Sequence, residues 1–184
     1  MMEKAFHSAV IVGRFQTFHN GHKDMIDRAL ALAERVGVFI GSSEESGTEK
    51  NPFSFEFRKE ILERIYGGAV EIYPLPDIGI GNVSGWGDYV IGEAEKHMGI
   101  TPDLFVSGRE SRRIDWLGSG KGQNIAELYV PKTIDISATA MRSFILSGDR
   151  SLWERYTDPH IFDLFGRMHE LVLKARGNTE TKSL

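Results

Sequence analysis

Short apolar runs recur along the chain, each followed by a polar loop and most by apolar residues at helical spacing. Ala9-Val10-Ile11-Val12, Gly37 to Gly41, Val70 to Leu75, Leu104-Phe105-Val106 and Ile125 to Val130 read as strands. Between them, Met25, Ile26, Ala29, Leu30 and Ala33 mark one helix. Phe57, Ile61, Leu62 and Ile65 mark a second, with Ser54 as N-cap and Gly67-Gly68 as its stop. A third runs from about Ser84 to His97. Strands that alternate with helices in this way build βαβ units, which predicts an α/β fold with a parallel sheet covered by helices on both faces. Ligands bind such sheets beyond the carboxyl ends of the strands. The polar loops Arg14 to Phe18, Ser42 to Lys50, Asp77 to Asn82, Gly108-Arg109 and the segment before Ser137 all follow strands, so they converge on one rim.

At 184 residues and 41% hydrophobic content, one buried core suffices, which predicts a single domain over residues 1–176 and a frayed tail over 177–184. A net charge of −4 provides no broad cationic field, which argues against a nucleic-acid backbone as main partner. The absence of cysteine excludes disulfides and thiolate metal sites. The start MMEKAFHSA has no signal-peptide core, and no apolar run reaches the ~18 residues of a membrane span. The expectation is a soluble cytoplasmic protein with no membrane partner. From Ser151 to Ala175 the pattern is helical with a break at Asp158-Pro159, and Phe162, Phe165, Met168, Leu171 and Val172 can cover the sheet or pack a homo-oligomer. Residues 110–124 are harder to assign. They suggest a short helix around Arg112 to Leu117 and then a mobile loop, Gly118 to Gly122.

Chemistry concentrates in Gly13 to His22, GRFQTFHNGH. This stretch joins the first strand to the first helix, and puts His19 and His22 in the first turn, one turn apart and on one side. Gly21 between them lets a ligand approach the backbone. Unpaired N–H groups and the positive dipole end make the position suited to phosphate. A zinc helix carries its histidines four apart with a glutamate between, whereas these are three apart around Asn20-Gly21. A second constellation, Ser137-Ala138-Thr139-Ala140-Met141-Arg142, puts hydroxyls at a helix mouth and an arginine fork one turn later. Either motif alone has an ordinary structural explanation, but the two together favour a nucleotide phosphate site. Gly118 to Gly122 is not a phosphate loop, because Asp115 and Gly122 stand where that loop needs Gly and Ser or Thr. The glycines from Gly79 to Gly85 are wrongly spaced for a dinucleotide site.

Gly13 to His22 resembles the GRFxPFHxGH signature of the nucleotidyltransferase superfamily, and Ile136 to Arg142 resembles its ISSTxxR partner. The resemblance implies a Rossmann-like parallel sheet with C-terminal helices. Gly41-Ser42-Ser43, Lys50-Asn51-Pro52-Phe53, Pro74 to Asp77, and Asn82 with Trp86 are most similar to archaeal-type nicotinamide mononucleotide adenylyltransferases. That family moves AMP from ATP to nicotinamide or nicotinate mononucleotide, giving NAD or its deamido form and pyrophosphate. By this resemblance His19, His22 and Arg142 are catalytic. Gly13, Arg14, Phe15, Gly21, Gly108, Arg109, Ser137 and Thr139 hold ATP, with Mg²⁺ carried mainly on its phosphates. Ser42, Lys50, Asp77, Asn82 and Trp86 hold the mononucleotide, with Lys50 on its phosphate. The departures are Thr17 for Pro, which is expected to loosen the loop, Ala138 for Ser, and Arg109 for Asn, which alters nucleotide recognition. Alternative readings keep the enzyme class with phosphopantetheine or a flavin mononucleotide as acceptor, or replace ATP by CTP. Pro131 to Ser137 lacks the RTxGISTT form of the polyol-phosphate cytidylyltransferases, which favours adenylyl transfer. A non-catalytic nucleotide sensor is a further reading, and intact His19, His22 and Arg142 argue against it.

Overall fold

The computed structural model describes residues 3–80 and 83–181. β1 (Phe6–Gly13), β2 (Ala33–Gly41), β3 (Glu71–Leu75), β4 (Leu104–Ser107) and β5 (Ala126–Tyr129) form a parallel sheet in the order β3-β2-β1-β4-β5. Every expected strand is present. β2 starts earlier than expected, because Ala33 closes the preceding helix and begins the strand with no loop between. Its N–H still donates to Ala29 as a helix cap.

The helices are α1 (Asn20–Leu32), α2 (Phe55–Tyr66), α3 (Ser84–Met98), α4 (Arg112–Asp115), α5 (Ala138–Ser147), α6 (Arg150–Arg155) and α7 (Phe165–Thr181). Strand alternation divides the core into two faces. Ala9, Ile11, Val38, Ile40, Leu104 and Val106 pack with Ile26 of α1, Ile61 and Leu62 of α2, and Met141, Trp153 and Met168 of the C-terminal helices. Val10, Phe39 and Phe105 face the other way, onto Val90, Ile91, Ala94 and Met98 of α3 and onto Trp116 and Leu117. Full burial of such a side chain contributes about 1.5–3 kcal/mol, so both faces are strongly held. The C-terminal helices therefore cover the sheet. α7 continues to Thr181, past Gly177, where composition predicts the tail to begin.

Local signals act where the sequence predicts. Ser54 accepts the Phe57 N–H to start α2, and Gly67, at φ 57°, ends it. Gly118 to Gly122 is a correction: this stretch docks on α3 instead of moving freely. Gly120, at φ 60°, lies where a Cβ would sit 2.2 Å from the Asp88 carboxylate, and Lys121 donates its N–H to that carboxylate at 2.7 Å. Gly87 on α3 passes under the Trp116 carbonyl, where a Cβ would fall at 1.9 Å. Glycines on both sides let two backbones touch, and the partner of that contact lies too far along the chain for local pattern to reveal it. Among the described residues no helix is long and apolar enough to cross a membrane.

The strand order reverses between β1 and β4, the neighbours on either side of which lead outward. Gly13, Gly41, Leu75 and Ser107 end their strands on one rim, which brings the loops after them together at that switch point.

Candidate active site

His19 is the N-cap of α1, one residue earlier than expected, and His22 lies in the first turn. The His19 carbonyl accepts the N–H groups of His22 and Lys23, while its imidazole makes no cap bond. That leaves the ring free to stack on His22, with centroids 3.7 Å apart and planes 21° from parallel. Gly21 makes this possible, since a Cβ there would press to 3.1 Å on the His19 ring. Phe15 closes on His22 from the other side at 4.8 Å. Gly13 leaves room for Phe15, whose ring would lie 3.0 Å from a Cβ. Burial, and then nearby Lys132, pulls the His19 pKa from 6.5 to about 4. His22 is held well below 6.5, by burial first and by His19 second. Both rings are neutral near pH 7, and each Nδ1 is buried with no protein partner among the described residues.

Three cavities divide the expected site residues. The first, about 420 Å³, gathers Gly13, Arg14, His22, Ser42, Asp77, Trp86, Gly108 and Arg109 from loops after β1, β2, β3 and β4 and from α3. The second, about 180 Å³, lies between His19, Gly21, His22 and the segment after β5, from Val130 to Ile136. His22, Met25 and Gly108 line both, so the two adjoin. The third, about 600 Å³, holds Lys50, Thr139 and Arg142 with Arg176 of α7. Lys50 thus stands beside Thr139 and Arg142 and away from Asp77 and Trp86. Asn82 lies outside the described residues.

Arg142 joins the two motifs. One of its Nη groups donates to the Gln16 carbonyl and the other to the Thr139 hydroxyl at 3.3 Å. Its pKa is lowered, by burial first and by Arg14 second, so two guanidiniums share this corner. The Ser137 hydroxyl accepts the Ala140 N–H, capping α5, and keeps its own proton to donate to a ligand. The loop with Thr17 is firmly held, contrary to the expectation from its missing proline. Thr17 is fully buried, and the Gln16 amide exchanges two hydrogen bonds with the Phe53 backbone, at 2.9 and 3.0 Å.

Sequence reasoning missed four residues. Arg112 and Trp116 line the first cavity, with the guanidinium 3.4 Å over the indole. Their 110–124 stretch has no readable period because it is shaped by docking on α3. Lys132 faces His19 from the loop after β5. Arg58, a buried cation on α2, sits in what reads as an ordinary amphipathic helix. Among the described residues no group of three or more histidine or carboxylate side chains is arranged for a metal. The cationic lining suits a polyphosphate.

A parallel sheet whose switch point carries a neutral imidazole pair, arginine forks and two helix mouths is the frame of an enzyme acting on nucleotides. The cytidylyltransferase-like family matches residues 10–144, and the chain belongs to that family of nucleotidyltransferases. Within it, the chain is similar to nicotinamide-nucleotide adenylyltransferases. It is 36% identical to that of Thermococcus kodakarensis, over 79% of this chain and 74% of the relative. It is 33% identical to that of Aeropyrum pernix, over 83% and 86%. Among solved structures, it is similar to the bifunctional NMN adenylyltransferase/ADP ribose pyrophosphatase from Francisella tularensis complexed with AMP and a manganese ion. That match has a TM-score of 0.75 and 26% identity, and covers 97% of this chain and 55% of that one. This chain therefore spans about half of the bifunctional protein.

Proposed function

We propose that the chain transfers the adenylyl group of ATP to nicotinamide mononucleotide, forming NAD and pyrophosphate, with nicotinate mononucleotide as the related acceptor. The observation that carries this reading is that His22 lines both the first and the second cavity. A reaction at their junction joins an acceptor in one to a nucleotide in the other.

An oxygen of the mononucleotide phosphate attacks the α-phosphorus of ATP, and the bond to the bridging oxygen breaks as pyrophosphate leaves. A phosphate monoester is largely ionised at pH 7, with a second pKa of about 6, so no general base is needed. The protein supplies alignment and donors aimed at developing negative charge. His19 meets the ATP phosphates, and His22 stabilises charge on the transferring group. Thr139 and Arg142 grip the β and γ phosphates, and Lys50 joins them there, since it lines their cavity. Trp86, beside Tyr89 at 5.0 Å, offers a stacking face to the pyridine ring, and Asp77 a hydrogen-bond acceptor. Mg²⁺ would be held mainly by the ATP phosphates and would supply charge neutralisation there. The cytoplasm, where ATP is plentiful, is the compartment this reading implies.

Pyrophosphate release from ATP or CTP with Mg²⁺, across a panel of phosphorylated acceptors, tests the assignment. ATP with nicotinamide mononucleotide is expected to give the highest kcat/KM. A higher value with phosphopantetheine, a flavin mononucleotide or CTP would replace it. ATP binding with no release from any acceptor would favour a sensor.

A further inference from the structure

Arg58 is completely buried, and its hydrogen bonds run to backbone carbonyls from three separate segments. Nη1 donates to Arg14 at 2.9 Å and to Gly41 at 2.8 Å, Nη2 donates to Ser42 at 3.0 Å, and Nε donates to Ser54 at 3.2 Å. Among the described residues no carboxylate is within ion-pair distance of it, and Glu44, Glu56 and Glu45 act only from farther away. A cation taken out of water is costlier than an apolar side chain of its size. What the guanidinium gives in return is a fixed fork of donors that dictates where several carbonyls lie.

The clamped carbonyls coincide with unusual backbone. Phe15, at φ 50°, and Ser42, at φ 46°, are the non-glycine residues at positive φ among the described residues. Such a conformation persists where the surroundings over-determine it. Arg58 holds the peptide that enters Phe15 and both peptides that flank Ser42. Arg14, Gly41 and Ser42 then line the first cavity directly beyond those peptides.

We infer that Arg58 is a positioning residue for the transfer reaction, setting the loop of Arg14, which the family resemblance gives to ATP, and the loop of Ser42, which it gives to the acceptor, at the angle at which they meet their substrates. The inference rests on the adenylyl-transfer reading of that cavity. Arg142 lies close enough to Arg14 for the two guanidiniums to interact, so the clamped Arg14 loop also borders Lys50, Thr139 and Arg142. Loss of the fork is therefore expected to fall on both substrates and on turnover.

Arg58→Lys keeps the charge and loses the fork. In folded protein its kcat is expected to fall by about tenfold or more, the scale of a small misplacement of reacting groups. The KM values for nicotinamide mononucleotide and for ATP should both rise several-fold. A double-mutant cycle with Ser42→Gly gives a second readout, because glycine adopts positive φ without strain. In the Ser42→Gly background, Arg58→Lys or Arg58→Gln is expected to cost at least about threefold less in kcat/KM than in the parent. Arg58→Gln reads the same cycle if the lysine variant does not fold. Parent-like kinetics in a folded variant, activity lost only in proportion to unfolded protein with both KM values unchanged, or equal costs in the two backgrounds would each overturn the role. If the parent itself releases no pyrophosphate from ATP and nicotinamide mononucleotide, the functional reading fails, and this inference with it.

Discussion

His19 and His22 illustrate how position converts a common residue into a specific one. Burial and the positive end of α1 both disfavour imidazolium, so the pair is neutral near pH 7. This has a measurable consequence for stability. An unfolded His19 binds its proton near pH 6.5 and the folded one near 4, so between those values the unfolded chain holds more protons. Stability from this residue is complete above about pH 6.5 and is lost as pH falls towards 4, on the order of 3 kcal/mol in full. In the absence of nucleotide, the melting temperature should decline over that window, and less steeply in His19→Asn. An unchanged decline in that variant would assign the titration to other groups. The motif was legible in the sequence as a His pair at a helix mouth. Ring stacking, the role of Gly21 beneath His19 and the approach of Lys132 were not, because each depends on side-chain direction or on a segment over a hundred residues away.

Strands and caps were readable because their causes are local: an apolar run, Ser54 at a helix start, Gly67 at an end. The 110–124 stretch was not, since its cause is contact with α3. Gly87 is the tightest point of that contact, with a would-be Cβ 1.9 Å from the Trp116 carbonyl. Gly87→Ala should push the stretch away, lowering stability by about 1–3 kcal/mol. Because Trp116 of that stretch packs edge-on against Trp86 at 6.0 Å, the KM for the acceptor should rise more than that for ATP. Thermal unfolding and steady-state kinetics together check this, and parent-like values in both would show that the docked arrangement is not maintained in solution. The loop around Thr17 carries the opposite lesson. Its local sequence suggests looseness, but Gln16 ties it to Phe53, and Arg142 ties it to α5.

The molecule as a whole brings residues from the first and last thirds of the chain into one site. Sequence order alone places the GRFQTFHNGH and ISATAMR segments at opposite ends. The β3-β2-β1-β4-β5 order returns α5 to the rim where α1 begins, and the Arg142 contact with Gln16 closes the circuit. The C-terminal helices complete it, the Tyr156 carbonyl accepting the Asn20 N–H at 2.8 Å at the mouth of α1. Lys50 shows the limit of motif reading: its loop was recognised, but the cavity it lines follows from how α5 and α7 pack. The family was therefore legible from two motifs, whereas which residues share a cavity required the fold. The most direct measurement is product stoichiometry from ATP and nicotinamide mononucleotide, with NAD and pyrophosphate quantified together for the parent and for folded His22→Ala. The parent should yield the two in equal amounts, and the variant should turn over at least ~10²-fold more slowly, the scale of losing one transition-state donor. Pyrophosphate without matching NAD, or a His22→Ala protein as fast as the parent, would contradict the account.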